Sequence, residues 1–231
     1  MKYVFYILLG LLPGLIWLFY YLGKDRKHPE PKRMILKTFV WGMLAAPVAV
    51  VLELALSWLL GLPDFSNFLK LLLSIFLISA LVEECLKYSV VRFFIIKSSE
   101  FDEPIDAMIY CIVAALGFAT VENIMVVLTV SASQVYNLYS VMALRFIGAT
   151  FLHALSSGLV GYYLGLVIFD RTKSKKLIIK GLILAIVFHG LYNYFVLTPG
   201  PFSLLYLIIL IGTMAFLVSL GFRNLKRLAQ S

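Results

Sequence analysis

Seven apolar stretches, each long enough to cross a bilayer, follow one another along the chain with only short polar connections between them. They fall near 3–22, 38–62, 69–96, 105–130, 141–169, 177–197 and 202–222. A helical span needs ~20 apolar residues. Inside hydrocarbon each backbone N–H and C=O must find its partner within the segment, so these stretches are expected as helices. The predicted fold is all-α: a polytopic transmembrane bundle of about seven spans, making one domain over 1–231. A chain that is 62% hydrophobic, with a mean hydropathy of +0.97, carries more apolar surface than a water-soluble core absorbs. Span 69–96 is longer than a bilayer requires, so its 87–97 end is expected to project into the interface or water. Residues 3–22 read as a retained span, because only Lys2 precedes them and no small-residue cleavage site follows.

The net charge of +8 does not point to nucleic acid. The basic residues sit in short clusters between apolar runs, the footprint of cytoplasmic loops against anionic lipid. The loops after spans 1, 3 and 5, with the C-terminal segment, hold 17 of the 20 lysines and arginines; only Lys2, Lys70 and Arg145 fall on the other side. The expected protein is therefore a multi-pass protein of the cell membrane, with its N-terminus outside and its C-terminus cytoplasmic. Cys85 and Cys111 lack metal-type spacing and are expected as free thiols.

Against this apolar background, the ionisable residues inside the spans need a cause. Four of the seven glutamates (Glu53, Glu83, Glu84, Glu122) and two of the three histidines (His153, His189) lie there. A charge near the bilayer centre costs ~2.5–3.5 kcal/mol on insertion scales, so such residues pair or act. On a helix, Lys87 is four residues from Glu83 and three from Glu84, and can reach either. At ~1.5 Å rise per residue, Glu83, Glu122, His153 and His189 all fall between the midplane and the outer leaflet, on four different helices. They could converge on one wet cavity. Phe118 shares a helix face with Glu122, next to Asn123. Asn193 shares a face with His189 and could orient it or bind a carbonyl. Glu53 has no accompanying motif and reads as an accessory residue. Gly158, Gly161 and Gly165 form a stripe suited to close helix packing.

Several chemistries fit this set. A carboxylate with a histidine can deprotonate water and protonate a leaving amine. A carboxylate with two histidines can hold zinc. No HExxH or GxGD motif is present. Ser156 and Ser157 are poor nucleophile candidates, since serines within helices bond their own backbone. An ion-coupled transporter could use the same network, although no internal repeat supports one. A buried ion pair that only fixes packing is the plainest alternative.

Four motifs in order carry a resemblance. Glu83-Glu84-Cys85-Leu86-Lys87 matches EExxK, Phe118 to Glu122 matches FxxxE, His153 sits in FLHALSSG, and His189 to Asn193 matches HxxxN. Residues 101–106 (FDEPID) match the lead into span 4. In these the chain resembles the PrsW intramembrane proteases, relatives of the CAAX prenyl protease and bacteriocin-immunity superfamily. The resemblance implies a prenyl-protease-like bundle and peptide-bond hydrolysis. It also implies a single-pass membrane substrate such as an anti-sigma factor, cut at the first site in envelope stress signalling. The expected catalytic set is Glu83, Glu84, Glu122, His153 and His189, with Glu83 as base. Lys87, Phe118, Asn123 and Asn193 are expected to orient groups or bind substrate. A metal-free site is favoured; the alternative is zinc held by His153, His189 and either Glu122 or Glu83. The prenyl proteases carry histidine where this chain has Glu122.

Overall fold

A computed structural model describes residues 2–25, 28–62, 67–129, 135–170 and 172–230, and every regular element among them is helical. The chain enters through α1 (Lys2–Leu22) and α2 (Lys32–Leu59). Helix α2 starts ahead of the expected 38, because Pro31 at its N-cap (φ −57°) leads directly into a basic first turn that continues the helix beyond the apolar run.

The third stretch is not one α-helix. It runs through α3 (Phe68–Leu73), a π-helical segment (Ser74–Ala80) and α4 (Leu81–Phe94). Ser74 and Leu81, at the two junctions, both keep helical backbone angles, so the rod is continuous. Then come α5 (Asp106–Thr129), α6 (Val135–Ile147), α7 (Ala149–Phe169), α8 (Lys176–Leu197) and α9 (Ser203–Leu228).

Span 141–169 was expected as one helix, and the structure divides it into α6 and α7 at Gly148, whose ψ of −88° leaves the helical range. Packing explains why glycine stands there. A Cβ would meet Tyr192 Oη at 2.2 Å and the Leu144 carbonyl at 2.8 Å. Taken together α6 and α7 still form one apolar span. With α1, α2, α5, α8 and α9 that makes six long enough to cross a membrane among the described residues, and the α3–π–α4 rod stands where the remaining span was expected. Residues 131–140 are polar and uncharged in sequence and suit a short interfacial piece; 131–134 lie outside the described residues, and 135–140 are the first turns of α6.

Helix α5 is the axis of the bundle. It is apolar all round, and each of its residues from Asp106 to Thr120 is buried. Helices α1, α2 and α7 pack around it. The fit against α2 is made by glycines. A Cβ on Gly117 would lie 2.1 Å from the Phe39 carbonyl oxygen, and one on Gly42 would lie 2.0 Å from that of Ala114. The glycine stripe of α7 acts as expected: Gly161 and Gly165 back onto the backbone of Ala107 and Pro104. The outer helices turn Leu8, Val51, Leu54 and Leu204 outward, as a lipid-facing surface requires.

The basic segments meet at one end of the bundle. Lys226 Nζ donates to the Lys24 carbonyl (2.5 Å), Lys37 Nζ donates to the Phe94 carbonyl (3.1 Å), and the Phe101 and Phe169 rings lie 5.8 Å apart. Cys85 and Cys111 are free.

Candidate active site

The first turn of α4 carries Glu83 and Glu84, and Lys87 follows one turn later. Helical spacing folds Lys87 back onto both carboxylates. Its Nζ donates to Glu84 Oε1 at 2.6 Å and lies 3.9 Å from Glu83 Oε2. All three residues are 5% exposed or less, so a charge here is held by protein groups and not by bulk water.

The two glutamates have different surroundings. Glu84 Oε1 accepts from Lys87, from Ser156 Oγ (2.9 Å) on α7 and from His189 Nδ1 (2.8 Å) on α8. It ties three helices together. Glu83 Oε1 accepts only from Ser79 Oγ (3.0 Å) on the π segment, and Glu83 Oε2 has no hydrogen-bond partner among the described residues. Around that oxygen stand His189 Nε2 at 3.7 Å, His153 Nδ1 at 3.8 Å and Lys87 Nζ at 3.9 Å.

The hydrogen-bond pattern assigns the imidazole tautomers. An ammonium can only donate, so Lys87 Nζ, 2.9 Å from His153 Nδ1, donates a hydrogen bond to that nitrogen's lone pair. His153 Nε2–H then donates to Glu122 Oε2 at 2.8 Å. His189 donates through Nδ1 to Glu84, which turns its Nε2 toward Glu83. The two rings stand edge to face, 5.1 Å apart.

Helix α5 supplies the next layer. Phe118 lies under the Lys87 ammonium (5.2 Å to the ring centroid) and beside His153 (5.8 Å). Asn123 donates to Thr150 Oγ1 at 3.0 Å. One residue not expected here is Arg145 of α6. Its Nη2 meets Glu122 Oε2 at 3.1 Å and its Nε donates to Asn123 Oδ1 at 2.5 Å. Ser79 and Thr150 also enter the network unannounced by any motif, and Ser156 of FLHALSSG enters it as a donor to Glu84. Arg145 did carry a signal, as one of three basic residues outside the four clusters, standing near the start of the apolar stretch 141–169.

The site therefore brings together Glu83, Glu84, Lys87, Phe118, Glu122, Asn123, His153 and His189. One expectation needs correcting: Glu84, not Asn193, orients His189, because it already receives the Nδ1 proton. Asn193 donates to Ser79 instead, at 3.3 Å. Glu53 is half-buried on α2 and makes no hydrogen bond or ion pair with the described residues.

The profile of a family described as "PrsW family intramembrane metalloprotease" matches residues 30–220, the greater part of the chain. The chain belongs to the PrsW family. It is 31% identical to Protease PrsW of Geobacillus kaustophilus over 190 residues, covering 81% of this chain and 78% of that protein. It is 30% identical to Protease PrsW of Bacillus subtilis over 220 residues, covering 94% and 93%. Against Protease PrsW of Oceanobacillus iheyensis the figure is 31% over 218 residues, covering 94% and 93%. No solved structure matches the chain. As a PrsW-family member it is a membrane-embedded protease, which displaces the reading of the Glu/His network as an ion-coupled carrier.

Among the described residues, Glu83, His153 and His189 also form a buried trio whose donor atoms all lie within 4.8 Å of one another. A carboxylate with two imidazoles is a zinc-type donor set. Glu122 does not belong to it, since Oε2 is taken by His153 Nε2 and Arg145.

Proposed function

We propose that this protease hydrolyses a peptide bond of a single-pass membrane protein, with Glu83 as the base that activates water. The observation carrying the proposal is Glu83 Oε2, buried and free of hydrogen bonds, with three nitrogens 3.7–3.9 Å away. That spacing is too long for direct bonds and suits a bridging water. Glu83 takes a proton from the water as its oxygen attacks the substrate carbonyl carbon, and returns it to the leaving amine as the C–N bond breaks. Glu84 Oε2 is also buried without a hydrogen-bond partner among the described residues, but Oε1 of the same carboxylate is held by Lys87, His189 and Ser156, so Glu84 serves to position those groups. His189, aimed by Glu84, presents Nε2 to the water. Asn193, half-exposed beside Ser79, is placed to donate to the developing oxyanion. The resemblance extends the proposal to first-site cleavage of an anti-sigma factor in envelope stress signalling.

The family description raises the question of a metal. Ligands of tetrahedral zinc lie about 3.3 Å apart, close to the 3.7 and 3.8 Å between Glu83 Oε2 and the two imidazole nitrogens. Glu83, His153 and His189 therefore fit a zinc ion in type and spacing. Such an ion supplies Lewis-acid polarisation and a bound water of pKa ~7. Holding it requires Lys87 to leave the lone pair of His153 Nδ1, which it meets at 2.9 Å. For that reason we favour the metal-free base. Purified protein in liposomes, given a tagged single-pass substrate, should keep cutting after chelation. One equivalent of tightly bound zinc, with activity lost on chelation and restored by zinc, would replace the base with the metal site.

The orientation is also part of the proposal. With the basic end cytoplasmic, the Glu/His cluster lies in the outer half of the membrane, with the N-terminus outside.

A further inference from the structure

A second cluster of carboxylates lies outside the active site, at the basic end of the bundle. It joins the loop after α1 to the turn that starts α5. Asp106 opens α5, and its Oδ2 accepts the backbone N–H groups of Asp102 (3.0 Å) and Glu103 (2.7 Å). Glu30, just before α2, accepts from Tyr110 Oη one turn further along α5. Glu103 pairs with His28 Nδ1. Asp25, from the loop after α1, completes the group. Asp25, Glu103 and Asp106 each offer a carboxylate oxygen, all within 4.8 Å of one another.

A cluster of acids alone is common. What singles this one out is Asp25. It is 7% exposed, and its Oδ2 has no hydrogen-bond partner among the described residues. The backbone N–H of His28 donates to the same carboxylate, and Lys226 and His28 act on it through their charge, yet neither satisfies Oδ2. A buried carboxylate oxygen without a donor is expensive. Placing it among further carboxylates raises the cost, unless something positive sits between them.

We propose that Asp25, Glu103 and Asp106 bind a hard divalent cation, magnesium by class, and that the ion clamps the loop after α1 to the start of α5. The donor atoms are carboxylate oxygens, the choice of magnesium, calcium and manganese and not of zinc or copper. Oxygens within 4.8 Å of one another can share one ion at the ~2.0–2.6 Å typical of these metals, and waters complete the shell. The one imidazole in the group, His28, already has Nδ1 on Glu103. By holding α5 at its start, the ion supports the helix that carries Phe118, Glu122 and Asn123, without touching substrate. The proposal is independent of the catalytic reading.

Manganese, a magnesium surrogate visible by electron paramagnetic resonance, tests it on the full-length protein in detergent. Wild type is expected to bind one Mn2+ that excess Mg2+ displaces, and to gain thermal stability with Mg2+. Asp25→Asn is nearly isosteric and should weaken Mn2+ binding at least tenfold and abolish the Mg2+-dependent rise in Tm. Glu103→Gln, at a more exposed position, is the second variant should Asp25→Asn fail to fold, with the same expected loss. Glu83→Gln should leave Mn2+ binding intact. Wild type that binds no Mn2+, or Asp25→Asn and Glu103→Gln that bind as tightly as wild type, would overturn the proposal. Loss of the Mn2+ signal in Glu83→Gln would also overturn it, by placing the ion in the active site.

Discussion

Glu83 and Glu84 are adjacent and chemically identical, and differ only in what surrounds them. Three donors saturate one oxygen of Glu84, while Glu83 Oε2 is left facing three nitrogens at water-bridging distance. The same reasoning gives Arg145 a role. It is one-fifth exposed, and it neutralises Glu122 while fixing Asn123. Arg145→Met should cost about 1.5–3 kcal/mol in stability, the range for hydrogen bonds to charged groups. It should cost less in a Glu122→Gln background, since both changes remove the same pair. Chemical denaturation in detergent reads both values, and additive losses would mean that the pair does not couple. The contacts within α4 were legible in the sequence, because Glu83, Glu84 and Lys87 follow helical spacing. The bonds His153–Glu122 and His189–Glu84 were not. They depend on how each helix is rotated about its own axis, which the pattern of a helix apolar all round, such as α5, does not disclose.

At the scale of elements, the apolar runs located the spans, and packing decided their irregularities. Ser74–Ala80 carries no charge or proline, and apolar residues flank Gly148 on both sides, so hydropathy announces neither the π segment nor the break between α6 and α7. Both matter to the site. The π segment presents Ser79 to Glu83 and Asn193, and the break lets α6 bring Arg145 to α5 while α7 brings His153. A π segment inside an α-helical rod is a frequent mark of a functional site. The closest helix contact makes a separate prediction. Gly117→Ala would press a methyl group onto the Phe39 carbonyl, which as backbone cannot swing aside, and should destabilise by about 1–3 kcal/mol. Gly212→Ala on α9 meets nothing within 4 Å and should be neutral or stabilise by up to about 1 kcal/mol. Thermal unfolding of the two variants side by side checks the contrast; equal shifts would mean that the α2–α5 contact is looser than described.

The whole molecule is a buried polar network inside a shell of lipid-facing side chains, with its basic segments gathered at one end. If that end is cytoplasmic, the site opens most cheaply toward the outer face, where the connections carry almost no charge. A substrate helix must expose its backbone before hydrolysis, and water satisfies the freed groups best at the outer edge of its span. The cut is therefore expected in the extracytoplasmic juxtamembrane region of the substrate. Mass spectrometry of the new terminus locates it, and a terminus on the cytoplasmic side would reverse the orientation. In this chemistry one carboxylate oxygen, on Glu83, removes the proton from water. The most direct test is the cleavage rate of Glu83→Gln in liposomes, with folding followed by thermal unfolding. Glutamine keeps the size and the bond from Ser79 but cannot take up the proton. With Glu83 as the base, the variant folds and its rate falls by at least ~10². A folded Glu83→Gln variant that cleaves at the wild-type rate would contradict it.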